Sequence, residues 1–197
     1  MHKQILPLLI LGCLLLPDPG FAQAKKWDLD PAHSNIYFDI THIFSTIRGR
    51  FDTFSTTFAF DPENLEQSSF AFSVDCASVN TNIVPRDKHL RSEDFFHVSK
   101  YPEMSFQSSK IEHVQADTYR VTGQLQIKKT RRTLTIPFVF HGTTDNPMQE
   151  GVRVAGFDAS FSIDRLEYGV GNGKFHDLGV VGKDVSVTVS LEMLAEK

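Results

Sequence analysis

Residues 85–96 read PRDKHLRSEDFF and place Asp87 two positions before His89, with Arg86 alongside. A carboxylate and an imidazole pass protons near neutral pH and a guanidinium polarises an oxygen, so acid/base chemistry is the first option for this stretch. The rest of an enzyme does not assemble around it. The chain has no G-x-S-x-G turn, and the neighbouring serines have no partner base that spacing identifies. The alternative is a charged rim in which Arg86, Asp87, His89 and Arg91 hydrogen-bond to one another. No catalytic residue is assigned.

Metal chemistry is the second option. Eight histidines occur, none in an H-x-H, H-x-x-x-H or C-x-x-C arrangement of the kind that seeds a site. His89 and His97 are separated by Ser92, which reads as a helix start, and His33 and His42 fall near opposite ends of one extended segment. No metal ligand is assigned and no cofactor is called for. The run KKTRR, 128–132, reads as a solvated hairpin turn. YGVGNGKF, 168–175, lacks the spacing and strand-to-helix setting of a dinucleotide loop and reads as a mobile glycine-rich loop.

The elements that must position these groups are strands. Alternation of period two dominates, with Ile36, Phe38, Ile40 and His42 on one face, then Phe54, Thr56, Phe58 and Phe60, then Phe70, Phe72, Val74 and Cys76. Met104 and Phe106 continue the pattern, followed by Tyr119 to Ile127 through Leu125, Leu134 to Phe140 through Phe138, Phe157 to Ile163 through Phe161, and Val185 to Met193. Strands oily on one side, joined by short polar turns, predict an antiparallel sheet closed on itself or a sandwich, and the barrel is preferred because closure removes exposed edges. Pro137 must then lie where no amide donor is needed, and Gly123 and Gly156 mark bends or small lining residues. Pro85 and Ser92 each suggest a helix start, which predicts two short helices in an insertion around residues 83–97. Phe95 and Phe96 follow, before Pro102 returns the chain to a strand.

The 17 phenylalanines fall mostly on inward parity, which fits a packed core and a hollow lined with rings equally well. Cys76 shares the inward parity of one strand and reads as a small buried residue.

The bulk numbers limit the partners. A formal net charge of −4 argues against nucleic acid, whose phosphates need a basic surface. His2 and Lys3, an apolar run from Ile5 to Leu16, a Pro/Gly break and Ala22-Gln23-Ala24 form an export signal, with cleavage expected after Ala24. The run is shorter than the about 20 residues a membrane span needs, so the mature protein, residues 25–197, is expected to be one soluble periplasmic domain and not an integral membrane protein.

WDLDPAHSNIYFDITH, GRF, RDKHLRSEDFFHVSKYPEMSF, GQLQIKKTRRTLTIPF, IDRLEYGV and VGKDVSVTVSLEM, in that order, resemble the YceI-like family of bacterial periplasmic proteins. The resemblance covers nearly all of residues 25–197, and the block from Arg86 to Phe106 is its most specific part. One departure is Lys129, where a turn glycine is expected. The resemblance implies an extended lipocalin-like antiparallel barrel that carries or stores a long isoprenoid, quinone or polyprenol, or a similar amphipathic lipid, with no chemistry performed. On that basis the lipid-binding residues are Phe38, Ile40, Phe58, Phe60, Phe72, Val74, Phe95, Phe96, Phe106, Leu125, Ile127, Phe138, Phe140, Phe157 and Phe161, with Arg86, Asp87 and His89 as a polar rim or headgroup contact. A lipid-modifying enzyme using His89 and Asp87, and a solid-core interaction module, stay open as alternatives. So do transient contact with a membrane surface and a homodimer.

Overall fold

A computed structural model describes residues 23–197, so the export segment expected over residues 1–24 falls almost entirely outside the described chain. The alternating segments form strands β1 (Lys26–Leu29), β2 (Asn35–His42), β3 (Ser45–Phe51), β4 (Phe54–Ala59), β5 (Ser69–Asp75), β6 (Val79–Asn80), β7 (Glu103–Gln115), β8 (Thr118–Ile127), β9 (Thr130–Asp145), β10 (Val152–Asp164) and β11 (Val181–Glu196). Every pairing is antiparallel. β1 hydrogen-bonds to β4 on one edge and to β11 on the other, which closes β1, β4, β5, β7, β8, β9, β10 and β11 into an eight-stranded barrel. The expectation of an all-β closed barrel holds.

β11 carries the geometry that extends it. Along one edge its final residues pair with β1, at Met193 and Leu194, while Val181–Ser190 pair with β2. β2 and β3 therefore continue the wall beyond the reach of β1, and β6 adds a short rung on Arg50 and Phe51 of β3. Asp30 and Ser34 secure the point where β11 changes partner: the Ser34 hydroxyl bonds to both the amide and the carbonyl of Glu192, and Asp30 accepts from His33 at 2.8 Å. That bond, the largest influence on either group, holds the Asp30 carboxyl below and the His33 imidazole above its ordinary value.

The core is unevenly distributed along the barrel. At the β1 end it is solid: Phe60, 1% exposed, has the rings of Phe140, Phe157, Tyr119, Phe138 and Phe70 with centroids 5.0 to 6.0 Å away, mostly edge to face. Aromatic quadrupoles favour these offsets over face-to-face stacking. The Trp27 indole completes this end by donating to the Phe60 carbonyl at 3.0 Å. At the β2–β3 end the inward residues line a cavity instead.

Three local readings need correction. First, only one helix forms in the insertion, α1 (Val84–Arg91), with Pro85 in its first turn. Ser92 ends it, its amide and hydroxyl both donating to the His89 carbonyl, and residues 93–100 follow as turns. A second helix would have to be very short, and such helices are marginal. Instead Phe95 is buried against Tyr168 and Ile127, while the Phe96 ring meets Phe51 edge-on at 5.8 Å. Second, Cys76 lies just past the end of β5, where the Asp75 carboxylate accepts from the Ala77 amide and opens a 3-10 turn. Third, the glycine-rich stretch is more than a loop. Tyr168 and Val170 are buried, and Lys174–Asp177 form a short helix, α2.

Pro137 falls where expected, since the β9–β10 ladder ends at Phe138 opposite Ala159. Gly123 and Gly156 sit at bulges of β7–β8 and β9–β10 respectively. Burial pushes the Cys76 thiol up to about 12, with the carboxylates of Asp75 and Glu103 adding to the shift. Only a thiolate alkylates. Iodoacetamide at pH 8 should therefore leave native Cys76 unmodified for hours and label it within minutes in denaturant, as followed by peptide mass mapping; prompt native labelling would mean that the β5 end opens readily.

Candidate functional site

Below the solid end the barrel encloses a cavity of about 410 Å³. This is within the range of roughly 300–1,000 Å³ typical of small-molecule sites. Its floor is aromatic: Phe58 and Phe70 stack at 4.0 Å and 8°, with Phe157 edge-on to Phe58 at 4.8 Å. The walls are the inward rows of the strands, among them Ile36, Phe38 and Ile40 of β2, Phe72 and Val74 of β5, Ala159, Phe161 and Ile163 of β10, and Val185, Val187 and Val189 of β11. Such a surface offers nothing to hydrogen-bond and is suited to hydrocarbon.

Two glycines determine where wall rings can lie. A Cβ on Gly49 would stand 2.3 Å from the Phe38 ring, and one on Gly123 would stand 2.4 Å from the Phe106 ring and 2.5 Å from the Gln107 carbonyl. The missing side chains let both phenyl groups lie back against the sheet. The space in front of them stays open.

Polar groups gather at the mouth, around α1 and α2. Asp87 is buried and accepts from both the amide and the hydroxyl of Thr81. Arg86 donates from Nε to the Thr81 hydroxyl at 2.7 Å and from Nη2 to the Thr81 carbonyl at 2.8 Å. The His89 ring stands edge-on to Phe95 at 5.0 Å and to Phe175 at 5.9 Å, while its Nε2 meets Asp94 at 2.8 Å. Asp87 and His89 thus bond to different partners, Thr81 and Asp94. The structure does not bring them together as an acid/base pair.

Arg165 was not singled out from the sequence. It is buried at the cavity edge, and its guanidinium donates to the carbonyls of Gly182, Val170 and Val181. Burial presses it below its ordinary value, an effect the nearby Asp164 carboxylate partly offsets. A signal did exist: 157, 159, 161, 163 and 165 share one parity, so the inward row of β10, continued one step past the strand's end at Asp164, reaches a cation.

Lys128 belongs to the run 128–132 that reads as a solvated turn, but only 128 and 129 form the turn, residues 130–132 begin β9, and Lys128 is half-buried. It takes the left-handed conformation (φ 53°) in the two-residue turn between β8 and β9, where the glycine had been expected one position later. Its ammonium donates to the carbonyls of Phe95 and Gly169, tying the hairpin to the segment after α1 and to the segment before α2.

The expected lining residues are now placed. Phe38, Ile40, Phe58, Phe72, Val74, Phe95, Phe96, Phe106, Leu125, Ile127, Phe138, Phe157 and Phe161 all face the cavity. Phe60 and Phe140 do not, because they belong to the solid end. Arg86 and His89 reach the cavity, whereas Asp87 lies behind them and braces Thr81. Val185, Val187 and Val189 line it without having been named as site residues.

One group of candidate metal ligands occurs among the described residues, Asp30, His33 and Glu192, whose donor atoms lie within 4.8 Å of one another. It sits where β11 changes partner and does not face the cavity. No helix among the described residues is long and apolar enough to cross a membrane.

The family model described as the YceI-like domain matches residues 27–193. The chain belongs to the YceI-like family. It is 31% identical over 198 residues to a UPF0312 protein of Pectobacterium atrosepticum, covering all of both chains, and 33% identical over 194 residues to a UPF0312 protein of Pseudomonas aeruginosa, covering 98% of each. Among solved structures, Burkholderia cenocepacia BcnA superposes with a TM-score of 0.74 at 27% identity over 85% of this chain and 99% of that one. The Campylobacter jejuni YceI protein gives 0.70 at 27% over 88% and 99%. A polyisoprenoid binding domain from Saccharophagus degradans gives 0.64 at 17% over 86% and 98%, a likeness of fold. In this YceI-like chain the cavity occupies the end of the barrel away from the ring cluster around Phe60.

Proposed function

We propose that the protein binds a long isoprenoid, of quinone or polyprenol type, in its apolar cavity and carries or stores it in the periplasm without changing it chemically. The observation that carries this reading is the cavity itself, lined by rings and aliphatic chains with few polar groups among them. The polyisoprenoid binding domain among the structural neighbours supports the ligand class. The export signal expected at residues 1–24 from their sequence supports the compartment.

Energetics favour a chain over a compact ligand. Burying one methylene gives about 0.8 kcal/mol, so each five-carbon unit contributes roughly 3–4 kcal/mol. A few units offset the estimated 4–15 kcal/mol entropic cost of association. The tail would lie along Phe38, Phe106 and Val187 toward the Phe58–Phe70 floor, with Arg86 and His89 meeting a polar head and Asp87 bracing the segment that holds them.

Native mass spectrometry of the protein isolated from its export compartment should show an adduct, and organic extraction should release a neutral or amphipathic molecule with isoprenoid fragmentation. After delipidation, the protein should take up a short prenol, of a length the cavity holds, at about one per chain. Failure to take up any prenol or quinone would remove the ligand class.

A further inference from the structure

Five large apolar side chains stand in water at the cavity end of the barrel. Phe44 is 100% exposed, Val84 79%, Leu178 65%, Ile43 52% and Ile83 50%. They lie on three segments that frame the mouth. Ile43 and Phe44 form the β2–β3 tip next to the lining residue His42; Ile83 and Val84 lie between Thr81 and Arg86, which also line the cavity; Leu178 is two residues before lining Val180. The Ile43 amide donates to the Val180 carbonyl at 3.0 Å, which fixes the tip beside the Leu178 segment.

These segments share a second property. Residues 43–47, 81–85 and 178–182 contain no charged side chain. Of the charges that flank them, Arg48 pairs with Asp39, Lys183 with Asp164 and Asp184, and Arg86 bonds to Thr81, while Asp177, next to Leu178, and Lys88 of α1 are exposed at the collar's edge. At the opposite end, exposed Met148 sits beside acidic Glu150, close to the ion pair of Lys197 with Asp145.

A clustered apolar surface of this kind marks an interaction site. Its chemistry selects the occupant. Carrying a charge into hydrocarbon is costly, and the collar carries none. The collar is also continuous with the bore, since Ile40, Ile47 and Val180 run from its edge into the cavity wall. A lipid leaflet laid on the collar would join its acyl phase to that lining, and an apolar chain could then enter without crossing water. We propose that the collar of Ile43, Phe44, Ile83, Val84 and Leu178 docks into the surface of a lipid bilayer and that the barrel loads through it. The loading step rests on the cavity taking an apolar chain; docking is tested without any cargo, so the two ideas fail separately.

The test is partition of the delipidated protein onto phosphatidylcholine vesicles, followed by flotation. F44D should lower the partition coefficient at least tenfold and L178D should lower it too, while M148D at the far end leaves it unchanged. Raising salt to about 0.5 M, where screening acts within a few ångströms, should have little effect on an attachment made by apolar groups. Phe44 is free of tertiary packing, so F44D should melt like the parent. The proposal falls if the parent does not float, if F44D floats as well as the parent, or if salt alone releases the protein. It falls equally if sedimentation without vesicles shows a parent dimer that F44D splits, because the collar would then serve a second copy of the chain.

Discussion

Replacing Ala159 by phenylalanine is expected to abolish uptake of a long apolar ligand while leaving the barrel folded. Ala159 sits on β10 between Phe138 of β9 and Val189 of β11, and its methyl group faces the cavity near the floor rings. A phenyl ring there projects into empty space, so the overpacking penalty of roughly 1–3 kcal/mol seen in filled cores should be small. The ring would take the place of four or five ligand carbons. At about 0.8 kcal/mol per methylene, that is on the order of a hundredfold in affinity or more. Titration of the delipidated variant with a prenol, checked by native mass spectrometry, should show loss of the adduct with the melting temperature held or raised. An unchanged dissociation constant would place the ligand outside the bore.

Phe60→Ala should do the reverse. The ring is fully buried in the solid end and touches five other aromatic rings, but it does not face the cavity. Truncating such a residue costs about 3–5 kcal/mol through lost contacts and the void left behind. For a domain of this size the melting temperature falls by roughly 2–4 °C per kcal/mol, so a drop of about 10 °C is expected. Ligand affinity measured well below the transition should change far less than for Ala159→Phe. A shift under about 2 °C would mean that the ring cluster is not what holds the β1 end together.

These two variants separate what inward parity alone could not. Phe58 on β4 and Phe60 just past its end are two residues apart, share one parity and have the same side chain, yet Phe58 forms part of a floor and Phe60 part of a plug. The distinction depends on the height of each residue in the closed barrel, which the register of several strands sets together. Barrel class, strand parity and most of the lining were legible because period-two alternation is a local signal. The partners of polar groups were not, because they depend on turns. Asp87 looked like a proton-transfer residue by type, but the chain folds back so that Thr81, six positions earlier, takes both of its bonds. Ser92 looked like the beginning of a helix and ends one, because Phe95 and Phe96 gain more from burial in the barrel mouth than from a further helical turn. Arg165 could have been found by extending the β10 row one step beyond Ile163.

Gly49 and Gly123 have a consequence for how such a protein could change its cargo. The bore's calibre at Phe38 depends on a residue that presents no group to the ligand. Trading one hydrogen for a methyl at position 49 would tilt a phenyl ring inward and narrow the channel, with every visible contact residue kept. Girth tolerance could in this way drift between lineages through backbone positions that a comparison of ligand-touching side chains would pass over.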